Sequence, residues 1–181
     1  TSQKIAFSNT GKNELDRMAK GENHQGVISE VILPPLLNEE SLYKAISNNS
    51  KTLILILDSI QDPRNLGACL RCANAAGANY VVVNKDGSAP INALVHKASA
   101  GAISSLKIFH VTNLARTIQE MQKRGIWVIG LDSNSQSTIY DVSLTDATAV
   151  VMGSEGKGIR RLIKERCDQI VTIPMSGNIE S

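Results

Sequence analysis

From Thr52 onward, short and almost continuously apolar runs alternate with longer stretches in which apolar residues recur every three or four positions. The runs are Thr52–Leu57, Tyr80–Val83, Leu106–Val111, Ile126–Leu131, Ala149–Met152 and Ile170–Ile173. Each is too brief for a core helix and is rich in valine, isoleucine or leucine, the pattern of a strand buried on both faces. Between them, Leu66, Cys69, Leu70, Ala73 and Ala76 form one helical stripe, and Ile91–Lys97 reads as a second helix. A third is capped by Asn113, buries Leu114, Ile118 and Met121, runs through Arg124 and stops at Gly125. This alternation predicts an α/β fold, a mostly parallel sheet flanked by helices.

The first fifty residues are patterned differently. Lys4–Ser8 and Val27–Ile32 are apolar enough for strands around a polar helix at Lys12–Ala19, a set too small to hold a core alone. Pro34-Pro35 opens a linker, because consecutive prolines disfavour helix and ladder alike. Leu42–Ser47 suits a helical turn, and Asn48-Asn49-Ser50 a loop. The expected organisation is a small N-terminal piece at 1–33, a linker at 34–50 and the main domain at 51–181.

Composition narrows the function classes. A chain of 181 residues supports one full domain and part of another, and one that opens on Thr1 is expected to lack its original start. The formal charge of +2 is too balanced to announce nucleic-acid binding, so RNA affinity must come from local basic clusters. Aromatics at 3% exclude a stacking platform for single strands. No apolar run approaches membrane-spanning length and no signal peptide is visible, so a soluble cytoplasmic protein is expected. Cys69 and Cys72 form a C-x-x-C, but no second pair exists, so they read as small helix-facing residues and no metal is expected. Cys167 reads as a core residue flanking a strand.

The chemistry gathers in two loops. In Asp58–Asn65, Pro63 suits a first helical turn and Asn65 an N-cap, while Arg71 falls off the buried stripe and faces out. In the other, Gly153, Gly156 and Gly158 surround Ser154 and Glu155, so the backbone can bend closely about a ligand. Lys157, Arg160, Arg161 and Lys164 follow on an expected basic helix, whose plain reading is a solvated face. No G-x-G-x-x-G follows the first strand, and Gly156-Lys157-Gly158 lacks the rest of a P-loop, which disfavours other nucleotide-binding enzymes.

Three segments carry a specific resemblance. LDSIQDPRNLGACLRCANAAGA (Leu57–Ala78), VMGSEGKGIRRL (Val151–Leu162) and CDQIVTIPMSGNIES (Cys167–Ser181) resemble, in order and spacing, the three motifs of the SpoU/TrmH family of RNA ribose 2'-O-methyltransferases. His24-Gln25-Gly26, VTNLART and IWVIG are similar to the branch that methylates a guanosine of large-subunit (23S) ribosomal RNA. The resemblance implies S-adenosylmethionine as methyl donor, a homodimer, and a sheet whose C-terminal segment is tied in a trefoil knot. It also implies that 1–33 is the remnant of a ribosomal-protein-like RNA-binding domain. Carried over residue by residue, it makes Asn65, Arg71, Glu155 and Ser181 catalytic, and Gly153, Ile173, Met175, Leu131 and Asp132 cofactor contacts. Arg64, Arg71, Lys157, Arg160, Arg161 and His24 become RNA contacts, with a structural turn an equal reading for His24. Arg71 is expected to clamp phosphate, because a guanidinium scarcely deprotonates; the general base stays open. The family's next segment, Leu-Asn-Val-Ser, falls beyond Ser181, which implies weak cofactor binding by this chain. A transfer-RNA substrate and a non-catalytic assembly factor are the alternatives; the latter would be expected to have lost Asn65, Arg71 or Glu155.

Overall fold

Six of the apolar runs become strands because their β-branched side chains pack on both sides of a pleated surface. The computed structural model describes residues 6–32, 35–46 and 51–177. Strands β1 (Leu53–Asp58), β2 (Tyr80–Asn84), β3 (Lys107–Val111), β4 (Trp127–Leu131), β5 (Thr148–Gly153) and β6 (Gln169–Val171) form one sheet. The order is β3-β2-β1-β5-β4-β6 and every pairing is parallel. Helices α3 (Pro63–Ala75), α4 (Ala93–Ala98), α5 (Leu114–Gln122) and α6 (Arg161–Lys164) make the crossovers, and α2 (Glu39–Ile46) precedes the sheet.

Alternate residues of each strand serve opposite layers. Ile54, Ile56, Val82, Phe109, Val128, Ala149 and Val151 share a core with Leu42 of α2, with Leu114, Ile118 and Met121 of α5, and with Ile163 of α6. Leu57, Val81, Val83 and Ile108 share the other core with Leu66, Leu70 and Ala73 of α3 and Val95 of α4. Each fully buried aliphatic side chain contributes about 1.5–3 kcal/mol, so these two layers hold the sheet. The outer edge of β3 is covered by the linker. Leu37 donates its N–H to Ile108 O at 3.1 Å and accepts from His110 N at 2.8 Å. That pairing blunts an edge otherwise open to foreign strands.

The chain divides into two compact units, Thr1–Pro34 and Pro35–Ser181. In the first, α1 spans Lys12–Ala19 as the sequence indicates, and none of its residues is buried. Of the two strands expected there, the described parts, residues 6–8 and 27–32, have no ladder partner among the described residues. Val27 and Ile32 are 74% and 96% exposed, so an apolar run without a neighbour to pair with stays irregular. Lys4, Ile5, Pro34, Ser47 and the Asn48–Ser50 loop lie outside the described residues, as does Ser181.

Three boundaries in the larger unit differ from expectation. The N-cap of α3 is Asp62, not Asn65; its carboxylate accepts from Arg64 N at 2.7 Å and Asn65 N at 3.0 Å. A carboxylate three residues upstream satisfies the orphan donors of the first turn, and Asn65 becomes the third helical residue instead. Ala76, expected in the buried stripe, is the exposed C-cap. The basic helix shrinks to Arg161–Lys164 with Arg160 as N-cap, so Lys157 sits in the loop before it. Asn113 does cap α5, through a 3.0 Å bond from Arg116 N, and Gly125 (φ 78°) takes the left-handed conformation that ends it.

Candidate active site

In a parallel sheet all strands present their carboxyl ends at one edge, and ligands sit where the strand order reverses. Here the chain steps outward from β1 through β2 to β3, then returns to place β5 against β1. Asp58 and Gly153, the last residues of β1 and β5, are register partners. The two loops singled out by the sequence therefore leave the sheet side by side.

The β1 loop is stitched to β2. Ser59 takes a positive φ of 63° and donates its N–H to Asn84 Oδ1 at 2.8 Å. Asn84, buried at the end of β2, also accepts from Ser88 Oγ at 3.0 Å and donates to the Asp86 carbonyl. Helix α3 then starts at Pro63, its first turn fixed by Asp62. Asn65 and Arg71 both face solvent from this helix.

The β5 loop is a closed turn: Ser154 N donates to Gly158 O at 3.1 Å, and Gly158 N to Ser154 O at 2.8 Å. Gly156 and Gly158 supply φ values of 77° and 64°, which allow so tight a reversal. Gly153 is required for another reason. A Cβ there would lie 1.9 Å from the Gly158 carbonyl carbon and 2.1 Å from Ile159 N, because the loop returns across its own stem. The turn projects Glu155 toward α3, where Asn65 Nδ2 donates to Glu155 Oε2 at 2.8 Å. Ninety positions apart in sequence, the two motif residues touch.

The loop leaves through Arg160. Its main-chain N–H donates to Asp58 Oδ2 at 2.8 Å and its Nε to Asp58 Oδ1 at 2.7 Å. The Asp58 side chain is wholly buried while that of Arg160 is 54% exposed. Sequence reasoning passed over Asp58, Asn84 and the glycine constraint at Gly67. The legible signal for Asp58 was an acidic residue closing an otherwise apolar strand.

Strands β4 and β6 add a third and fourth loop at the same edge. Asp132 accepts from Lys164 Nζ at 2.6 Å and from Asn134 N at 2.8 Å. The ammonium of Lys164, then the Asn134 N–H, holds the Asp132 carboxyl below its usual range. After β6, Ile173 and Met175 are 48% and 55% exposed. Among the described residues their main-chain N–H groups donate to nothing. Open donors beside exposed apolar side chains, with half-buried Leu131 on the adjoining strand, match the edge and face of a purine. Of the residues expected to hold the cofactor, Ile173, Met175 and Leu131 have the chemistry for such a group.

The expected RNA contacts fall into four states. Arg64, Arg71 and Lys157 are exposed, and their side chains pair with nothing among the described residues. Arg161 lies 3.5 Å from Glu165, an exposed and weak pair. Arg160 is tied by Nε to Asp58. His24 belongs to the N-terminal unit, where Gly26 N donates to its Nδ1 at 2.9 Å and its Nε2 lies 3.0 Å from Asp16 Oδ1. An Nδ1 that accepts must be unprotonated, so Nε2 carries the hydrogen and donates to Asp16. This places His24 as the pin of a turn.

The cysteines stand apart from the site. Cys69 is half-buried beside the α3 core, Cys72 exposed, and all three thiols are free. Burial, then the Asp168 and Asp58 carboxylates, pushes the Cys167 thiol up to about 12. Among the described residues no His, Cys, Asp or Glu cluster could hold a metal, and no helix is long and apolar enough to cross a membrane.

Residues 52–181 match the model of the SpoU rRNA Methylase family. Over 178 residues the chain is 46% identical to the 23S rRNA (guanosine-2'-O-)-methyltransferase RlmB of Haemophilus ducreyi, covering 98% of this chain and 72% of that one. It is 41% identical over 172 residues to RlmB of Shewanella oneidensis, covering 95% and 70%. Among solved structures, it superposes on a TrmH-family RNA methyltransferase of Porphyromonas gingivalis with TM-score 0.64 and 31% identity, covering 72% and 53%. The SpoU methyltransferase AviRb of Streptomyces viridochromogenes, in complex with AdoMet, gives TM-score 0.69 at 25% identity, covering 76% and 56%. The chain thus spans about half the length of these two solved relatives.

Proposed function

The chain belongs to the SpoU rRNA methylase family, and from that premise we propose that it methylates the ribose 2'-hydroxyl of a guanosine in large-subunit (23S) ribosomal RNA. The observation that carries this reading is the 2.8 Å bond between Asn65 and Glu155, which joins the first two motif loops at one sheet edge. Such a constellation serves a reaction whose difficulty is orientation: a weakly nucleophilic hydroxyl must lie in line with a methyl carbon.

S-adenosylmethionine, bound at this edge, supplies a methyl group on a sulfonium, already an excellent leaving group. Ile173, Met175 and Leu131, with the open main-chain donors after β6, would hold its base, and Gly153 and Asp132 would hold the remainder. Glu155 accepts from Asn65 through Oε2, leaving Oε1 for the attacking hydroxyl. Arg71 clamps the target phosphate through its planar fork, a role that needs no proton loss from a guanidinium. Arg64, Lys157 and Arg161 extend the cationic surface along the RNA backbone, while Arg160 turns its Nε to Asp58. In the N-terminal unit, both nitrogens of His24 are occupied, so its turn meets RNA by the ring face or the adjoining main chain. Ser181 completes the third motif. A homodimer, a C-terminal trefoil knot and action in the cytoplasm complete the reading, and the family resemblance supports the first two.

The test of substrate is direct competition. Labelled methyl groups from S-adenosylmethionine should enter large-subunit RNA that lacks modifications, in preference to bulk transfer RNA. Label confined to transfer RNA would keep the reaction and overturn the substrate.

A further inference from the structure

We infer that Asp58 is a positioning residue: by gripping Arg160, its buried carboxylate sets the glycine loop so that Glu155 meets Asn65. The inference rests on the methyltransferase reading above and adds to it a residue that none of the three motif roles includes. Both ends of the 154–159 loop return to Asp58. The loop enters from Gly153, the ladder partner of Asp58. It leaves at Arg160, whose main-chain N–H and Nε both donate to the Asp58 carboxylate, at 2.8 and 2.7 Å. On its other side Asp58 leads through Ser59, held at φ 63° by Asn84, into the turn that Asp62 caps. One residue therefore anchors the stem of Asn65 and the stem of Glu155.

The arrangement is not that of an ordinary surface pair. Asp58 is 0% exposed, and a carboxylate so removed from water needs charge and hydrogen bonds in place of its hydration. Arg160 supplies the charge, and Arg160 N and Ser59 Oγ, at 3.3 Å from Oδ1, complete the shell. The guanidinium, half in solvent, points its Nε inward and is thereby fixed in orientation. A free surface arginine recruited to RNA would need no such buried partner.

Arg160→Ala and Asp58→Asn, each assayed beside the wild type, decide the matter. Displacing Glu155 by about an ångström should lower kcat about 100-fold while KM for RNA and cofactor affinity stay at wild-type values. For Arg160→Ala, added methylguanidinium should refill the space beside Asp58 and recover much of kcat, which a role in stability alone would not allow. A raised KM for RNA at unchanged kcat, with a shallower salt dependence, would make Arg160 a phosphate contact and overturn the inference; so would wild-type kcat, or a loss that methylguanidinium leaves untouched. If Asp58→Asn fails to fold, Arg160→Ala decides alone, since its main-chain bond to Asp58 survives. A wild type that binds S-adenosylmethionine yet transfers no methyl group would instead remove the methyltransferase reading itself.

Discussion

In the proposed reaction, Asn65, Glu155 and Arg71 divide the work at the level of single residues. Because Asn65 and Glu155 hold each other, their separate replacements by alanine should be non-additive in kcat, with a coupling on the order of 1 kcal/mol from a double-mutant cycle. Arg71 has no such tie, so Arg71→Ala should abolish turnover and leave cofactor affinity intact by calorimetry; equal loss of both would take it off the RNA side. Asp132 gives a pH signature. Its folded carboxyl titrates below its ordinary 3.8, through Lys164 first and Asn134 next. The stabilisation is therefore complete above that ordinary value and is lost as pH falls through the folded one. Urea midpoints followed into acid should drop more steeply for the wild type than for Asp132→Asn. Residues such as Asn65 and Glu155 were legible in the sequence because motifs fix their spacing. Asp58 and Asn84 were not, because a buried polar group reveals its purpose only through partners 102 and 25 positions away.

Elements depend on where chains pass closest. Helices α3 and α4 cross at Gly67, where a Cβ would lie 2.4 Å from Ala98 Cβ and 2.9 Å from Val95 O. Gly67→Ala should cost about 1–3 kcal/mol by overpacking, and thermal denaturation should show a fall of about 2–4 °C per kcal/mol. Adding Ala98→Gly removes the nearest contact and should restore part of that loss. Gly153→Ala cannot be relieved so simply, since its clash is with the backbone of Gly158 and Ile159. Helix existence was readable from the 3.6-residue rhythm: Pro63, Asn113 and Gly125 punctuate α3 and α5 where expected. The last helix was overread because charge spacing cannot tell a helix from a glycine turn followed by one helical turn. The N-terminal strands were overread because apolar runs imply a strand only where a neighbour offers a ladder.

For the whole molecule, the alternation of runs gave the α/β class, yet nothing in it placed β5 between β1 and β4. Six similar apolar runs can pair in many orders, and the order is set by long-range packing. That placement makes the site, because it sets the first and second motif loops side by side. The near-neutral total of +2 hides three exposed cations in the first two motif segments, Arg64, Arg71 and Lys157. Lys157→Ala should therefore weaken RNA binding without sequence preference and reduce the slope of log affinity against log salt by about 0.7–0.9.

The proposed acceptor of the methyl group is ribose, not a base. RNA methylated by the protein with labelled S-adenosylmethionine can be hydrolysed in alkali, which needs a free 2'-hydroxyl to break the chain. Label should appear in an alkali-resistant dinucleotide beginning with guanosine, and be absent with Arg71→Ala. Label released in mononucleotides would place the methyl on a base and contradict it.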